Sequence, residues 1–131
     1  MSKPFKLKKE KTDLTPFILI DEENCYMRFE GESYHENVIA FYREISDWLS
    51  SFLKKDFIFF TFDCELRYFS SSTVKVLLNM LLDMDNSANG GKITINWITD
   101  KQNKIVYECG EDIKEDLKNV TFNLITKESD T

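Results

Sequence analysis

Phe57-Ile58-Phe59-Phe60-Thr61-Phe62, then Asp63-Cys64-Glu65, then Leu66-Arg67-Tyr68-Phe69-Ser70-Ser71-Ser72-Thr73, is the stretch on which the fold of this chain turns. Its first six residues are nearly all apolar, and a strand apolar on both faces belongs in the middle of a covered sheet. Asp63-Cys64-Glu65 reads as a polar loop that closes this strand. The hydroxyl run Ser70 to Thr73 then opens a helix, because Val74, Leu77, Leu78, Leu81 and Leu82 recur at spacings of three and four. Ser and Thr are ordinary helix caps, and one hydroxyl suffices to cap. Four in a row at a helix N-terminus can also take a phosphate, where unpaired N–H groups and the helix dipole favour negative charge.

Reading outward from this stretch completes the pattern. Upstream, Phe17-Ile18-Leu19-Ile20 and Cys25-Tyr26-Met27-Arg28-Phe29-Glu30 read as a hairpin of strands around the turn Asp21 to Asn24, with Gly31 as a break. Glu36 to Leu53 is helical, with Val38, Phe41, Tyr42, Ile45, Trp48, Leu49, Phe52 and Leu53 on one stripe. Downstream, Gly90-Gly91 turns the chain into the alternating strand 92–98. Lys104-Ile105-Val106-Tyr107 reads as a further short strand or an extended lead-in. Gly110 to Leu117 reads as a short acidic helix and Val120 to Ile125 as a last strand. The order β-β-α-β-α-β-(β)-α-β predicts a single α/β domain, a mixed, largely parallel sheet with helices packed against it.

The chain has 131 residues, enough for one domain with a core of its own. Residues 1–13 read as a basic flexible tail, 14–126 as the domain and 127–131 as a polar C-terminal tail. Residues 1–11 hold five Lys against one Glu but no apolar run, so they do not read as a signal peptide. No stretch approaches the length of a membrane span. A formal net charge of −6 argues against nucleic acid as the main ligand. Three scattered Cys and a single His predict neither a disulfide framework nor a zinc site, and reduced thiols suit a cytoplasmic protein.

Catalytic machinery is sparse. There is no phosphate-cradling glycine loop. A Ser-His-Asp set would have to use His35, which nothing in the sequence places near Ser71. Asp63, Cys64 and Glu65 could form a small metal- or thiol-dependent site, or simply a solvated loop. The acidic group Glu111, Asp112, Glu115 and Asp116 reads as a solvated helix face or a docking surface for a basic partner. Trp48 and Trp97 read as core or core-edge residues. No cofactor or metal is called for. A hydroxyl cluster on a catalyst-poor domain suits a switch better than an enzyme.

Four segments, in order, carry a resemblance to a known family. Tyr68-Phe69-Ser70-Ser71-Ser72-Thr73-Val74-Lys75-Val76-Leu77-Leu78 resembles the Tyr-Phe-Asn-Thr-Ser-Ser-x-Lys-x-Leu-Leu segment of the SiaC family of bacterial regulatory phosphoproteins. Gly31-Glu32-Ser33-Tyr34-His35-Glu36-Asn37 is similar to its Gly-x-Ser-Tyr-Pro-Glu-Asn, with His35 in place of Pro. Ile95-Asn96-Trp97 is similar to its Val-Asn-Trp. Gly110-Glu111-Asp112 to Leu117, followed by Phe122 to Ile125, is similar to its Gly-Glu-Asp-x-x-Glu-Asp-Leu and Phe-x-Leu-Ile.

The resemblance spans about residues 14–125 and implies a STAS-like fold. It implies a non-enzymatic partner-switching role: a Ser/Thr kinase phosphorylates the domain and a PP2C-type phosphatase reverses this. The unphosphorylated form binds an output protein, by resemblance a diguanylate cyclase in cyclic-di-GMP and biofilm signalling. The family's phosphorylated Thr falls on Ser71, with Tyr68, Phe69, Ser70, Thr73 and Lys75 around it. Aligning the Asp-Ser-Ser-Gly motif of anti-sigma-factor antagonists instead places the acceptor on Ser72. Besides the switch, two readings stand: a constitutive STAS-like scaffold, and a small enzyme using Asp63, Glu65 or Cys64.

Overall fold

The computed structural model describes residues 3–128, so the outer ends of the two expected tails, 1–2 and 129–131, lie outside the described residues. Strands β1 (Lys6–Lys9), β2 (Phe17–Asp21), β3 (Tyr26–Ser33), β4 (Phe60–Phe69), β5 (Ile93–Asp100) and β6 (Thr121–Lys127) form one sheet in chain order. β1, β2 and β3 pair antiparallel; β3 to β6 pair parallel. Helices α1 (Val38–Phe52), α2 (Ser71–Asn86) and α3 (Lys104–Asp116) make the three crossovers.

Strands added in sequence by crossovers of one hand put every helix on the same side. The register confirms it. Phe29 is opposite Cys64, Phe62 opposite Ile95, and Cys64 opposite Trp97, so these side chains share one face. Phe29 meets Tyr42 of α1, Phe60 meets Trp48 and Phe52, and the Trp97 indole N–H donates to the Val106 carbonyl of α3 at 2.9 Å. The core lies between this face and the helices.

The other face carries no helix among the described residues. A polar lattice covers it instead. The Tyr26 hydroxyl donates to Asp63 at 2.7 Å, Asn96 Nδ2 donates to the other Asp63 oxygen at 2.8 Å, and Asn123 Nδ2 donates to Asn96 at 3.0 Å. Glu65 pairs with Arg28 at 2.7 Å and with Lys127. The sheet is therefore covered on one side only, not on both as the apolar run suggested. Ile58 and Phe59, which suggested it, precede the strand and are exposed, at 89% and 56%.

Three further segments differ from the sequence reading. Lys6–Lys9 belong to the sheet rather than to a free tail: Leu7 faces Ile20, the Phe5 ring stacks on Trp48 at 5.7 Å, and the lysines guard the edge. Lys104-Ile105-Val106-Tyr107 is the first turn of α3, capped by Asn103, whose Oδ1 accepts the Val106 N–H. Asp63-Cys64-Glu65 is the middle of β4, not a loop: Asp63 and Glu65 point to the open face and Cys64 to the core.

Asp85, buried near the end of α2, accepts the N–H groups of Lys118, Asn119 and Val120 at 2.6 to 3.1 Å. It ties that helix to the start of β6.

Candidate functional site

β4 delivers its last residues through a bulge. Gly31 pairs with Leu66 and Glu32 with Tyr68, leaving Arg67 as the extra residue. The Arg67 carbonyl is satisfied by Asn103 Nδ2 at 2.9 Å. Beyond the bulge Tyr68 turns to solvent, 56% exposed, while Phe69 packs edge-on against Trp97 at 6.2 Å.

The chain then enters α2. Ser70 has extended backbone angles and is the cap, its Oγ accepting the Thr73 N–H at 3.2 Å. Thr73 is fully buried. Its hydroxyl donates to the Ser33 carbonyl at 3.0 Å and lies 3.0 Å from both Ser33 Oγ and Ser70 Oγ. Ser71 and Ser72 occupy the first two helical positions, are exposed, and make no side-chain hydrogen bond among the described residues. Of the four hydroxyls, two are thus committed to the fold and two face outward. Lys75 is exposed one turn along and forms no ion pair among the described residues.

Two depressions flank the run. One of about 420 Å³ lies between α1 and α2, lined by Ser72, Lys75, Val76, Asn37 and Ile39 among others. The other, about 730 Å³, is bounded by Glu32, Arg67, Tyr68, Asn103, Lys104 and Ile105. Ile105 is 80% exposed. The phosphoacceptor candidates therefore sit on a rim that also displays large apolar side chains.

The other candidates are accounted for elsewhere. His35 Nδ1 accepts the Asn37 N–H at 2.9 Å, and its ring stacks on Phe41, so it supports the start of α1 and bonds no Ser or Asp among the described residues. Asp63, Cys64 and Glu65 form no joint site: the two acids are held in the open-face lattice, and burial pushes the Cys64 thiol up to about 12. A thiol so protonated is a poor nucleophile. No cluster of potential metal ligands occurs among the described residues. Glu111, Asp112, Glu115 and Asp116 are all exposed on α3. Trp48 and Trp97 are both buried.

Comparison with known proteins settles what kind of chain carries this rim. The model of the SiaC family regulatory phosphoprotein matches residues 9–127. The chain belongs to the SiaC family. Similarity to an uncharacterised protein of Pseudomonas aeruginosa (strain UCBPP-PA14) reaches 28% identity over 106 residues, 80% of this chain and 84% of that one. The crystal structure of apo-SiaC from Pseudomonas aeruginosa superposes with a TM-score of 0.84 at 27% identity, covering 94% of this chain and 99% of that one. SiaC from a complex of the Pseudomonas aeruginosa diguanylate cyclase SiaD with its activator SiaC superposes at 0.85, with 26% identity, covering 92% and 99%. This SiaC-family chain thus has the SiaC fold across almost its full length. No helix among the described residues is long and apolar enough to cross a membrane.

What sequence reading missed in this family member is the support beneath the run. Ser33 and Tyr42 were visible only as a motif residue and a core aromatic. The signal available was weak: Ser33 continues the inward alternation Met27, Phe29, Gly31, and a polar residue at an inward position needs a partner.

Proposed function

We propose that this protein is a non-enzymatic, cytoplasmic regulatory phosphoprotein that switches partners through Ser71. Unphosphorylated, it binds and activates a diguanylate cyclase, as the Pseudomonas aeruginosa SiaC does SiaD. A dedicated Ser/Thr kinase adds the phosphate and a PP2C-type phosphatase removes it.

The observation that carries this reading is the exposed hydroxyl of Ser71 at the first position of α2, unbonded among the described residues, while Ser70 and Thr73 are committed to the cap and the core. A phosphoserine there adds a charge of about −1.5 to −2. The helix N-terminus accommodates that charge in the free protein. Against a docked partner the same charge must be desolvated, which is costly without a counterion. Phosphorylation therefore expels the partner and leaves the fold in place.

The test is intact-mass and peptide mass spectrometry on protein from its own cells, with and without a PP2C-type phosphatase. One phosphatase-sensitive phosphate on Ser71 is expected. Capture with Ser71→Ala should retain the cyclase, and Ser71→Asp should weaken it by about tenfold or more, or about 1.4 kcal/mol. Equal binding by both variants would sink the switch. No phosphate under any growth condition would leave a constitutive scaffold.

A further inference from the structure

Four hydroxyls from three elements meet under the first turn of α2. Tyr42, fully buried on α1, lies with its OH 2.9 Å from Ser33 Oγ. Ser33 Oγ lies 3.0 Å from Thr73 Oγ1, which lies 3.0 Å from Ser70 Oγ. The proton directions close consistently. Thr73 donates to the Ser33 carbonyl, so both its lone pairs are left to accept from Ser33 and Ser70. Tyr42 in turn donates to Ser33. Burial pushes the Tyr42 phenol well above its ordinary value, which keeps it a donor. The Ser33 carbonyl also accepts the Ser70 N–H at 3.0 Å.

This chain resolves an ambiguity written into the sequence. In Ser70-Ser71-Ser72-Thr73 every residue is a competent cap. If Ser71 capped instead, the helix would start one residue later. Ser72 would take the first helical position, and Thr73 would move to the second, about 100° around the axis. Its hydroxyl would leave Ser33, whose buried Oγ would keep Tyr42 but lose the acceptor for its own proton. Only with Ser70 as the cap does the third helical position fall on Thr73, inside the buried chain.

We propose that Thr73, held by Ser33 and Tyr42, is the positioning residue that selects Ser71 over Ser72 as the hydroxyl presented for phosphorylation. The inference rests on the reading that this run is phosphorylated. Its test is phosphopeptide mapping of wild-type and variant protein recovered from its own cells. Wild type should carry phosphate on Ser71. Thr73→Val keeps the branched shape but removes the hydroxyl, and the Ser71-to-Ser72 phosphate ratio should fall by about fivefold, the worth of one cap. Thr73→Ser should restore the wild-type ratio, a rescue that loss of packing alone would not show. Tyr42→Phe and Ser33→Ala should shift the ratio the same way, and they decide the matter if Thr73→Val does not accumulate. An unchanged ratio in folded variants, or wild-type phosphate on Ser72, overturns the selection while leaving the phosphoprotein reading intact. Absence of any phosphate in wild type overturns both.

Discussion

At the scale of single residues, the arrangement around Ser71 separates binding from stability. Ser71→Asp places a carboxylate at a helix N-terminus on the surface. Its thermal unfolding should be unchanged or improved, by up to about 1 kcal/mol, even as partner binding is lost. A melt showing marked destabilisation would mean that the charge disturbs the fold and that expulsion is indirect. Asp85 acts on the fold instead, tying α2 to the start of β6. Burial raises its pKa, but the N–H groups of Val120, Asn119 and Lys118 outweigh this and hold it below the usual 3.8. Its contribution is complete above that value and disappears as pH falls through the lowered one. Asp85→Ala should cost about 2–3 kcal/mol at neutral pH, and its urea midpoint should converge on wild type in acid.

At the scale of elements, α3 shows why a motif residue is what it is. A Cβ on Gly110 would lie 2.5 Å from both Leu124 Cδ2 and Trp97 Cδ1. The helix approaches β5 and β6 only because that atom is missing. Gly110→Ala normally favours a helix by about 1 kcal/mol, yet here it should destabilise by about 1–3 kcal/mol in denaturant unfolding. The same helix also marks a limit of sequence reading. Ile105 and Val106 are β-branched and mask its first turn, while the deciding cap, Asn103, looks like any turn residue. β4 was legible in its apolar half and misread in the rest. The alternation Phe62-Asp63-Cys64-Glu65-Leu66 was present, but two acids in three positions imitate a loop, and their partners, Tyr26, Arg28 and Asn96, come from other strands. The hydroxyl run and its helix were legible from local periodicity, whereas the buried chain beneath it was not, because Ser33 and Thr73 are 40 residues apart.

At the scale of the whole molecule, strand order equal to chain order decides where function can sit. All three helices begin at the same end of the sheet, beside the exposed Tyr68 and Ile105, and the open face carries the ion lattice of Arg28, Glu65 and Lys127. Glu65 is the centre of that lattice. Glu65→Gln removes the charge facing Arg28 and Lys127 and should lower stability by about 1–3 kcal/mol in urea unfolding. Phosphorylation at Ser71 should be unaffected if the two faces are independent. The bulge at Arg67 has a consequence for how such a chain can vary. Side chains along a strand alternate like a two-stroke cycle, and the extra residue is a half-cycle delay inserted just before the hydroxyls. Deleting Arg67 would restore the even beat without turning a side chain over: Leu66 would stay inward, Tyr68 outward and Phe69 inward, in step with Gly31, Glu32 and Ser33. The bulge is thus slack in the strand, the place where β4 can lose a residue and still deliver the serines in phase with Ser33.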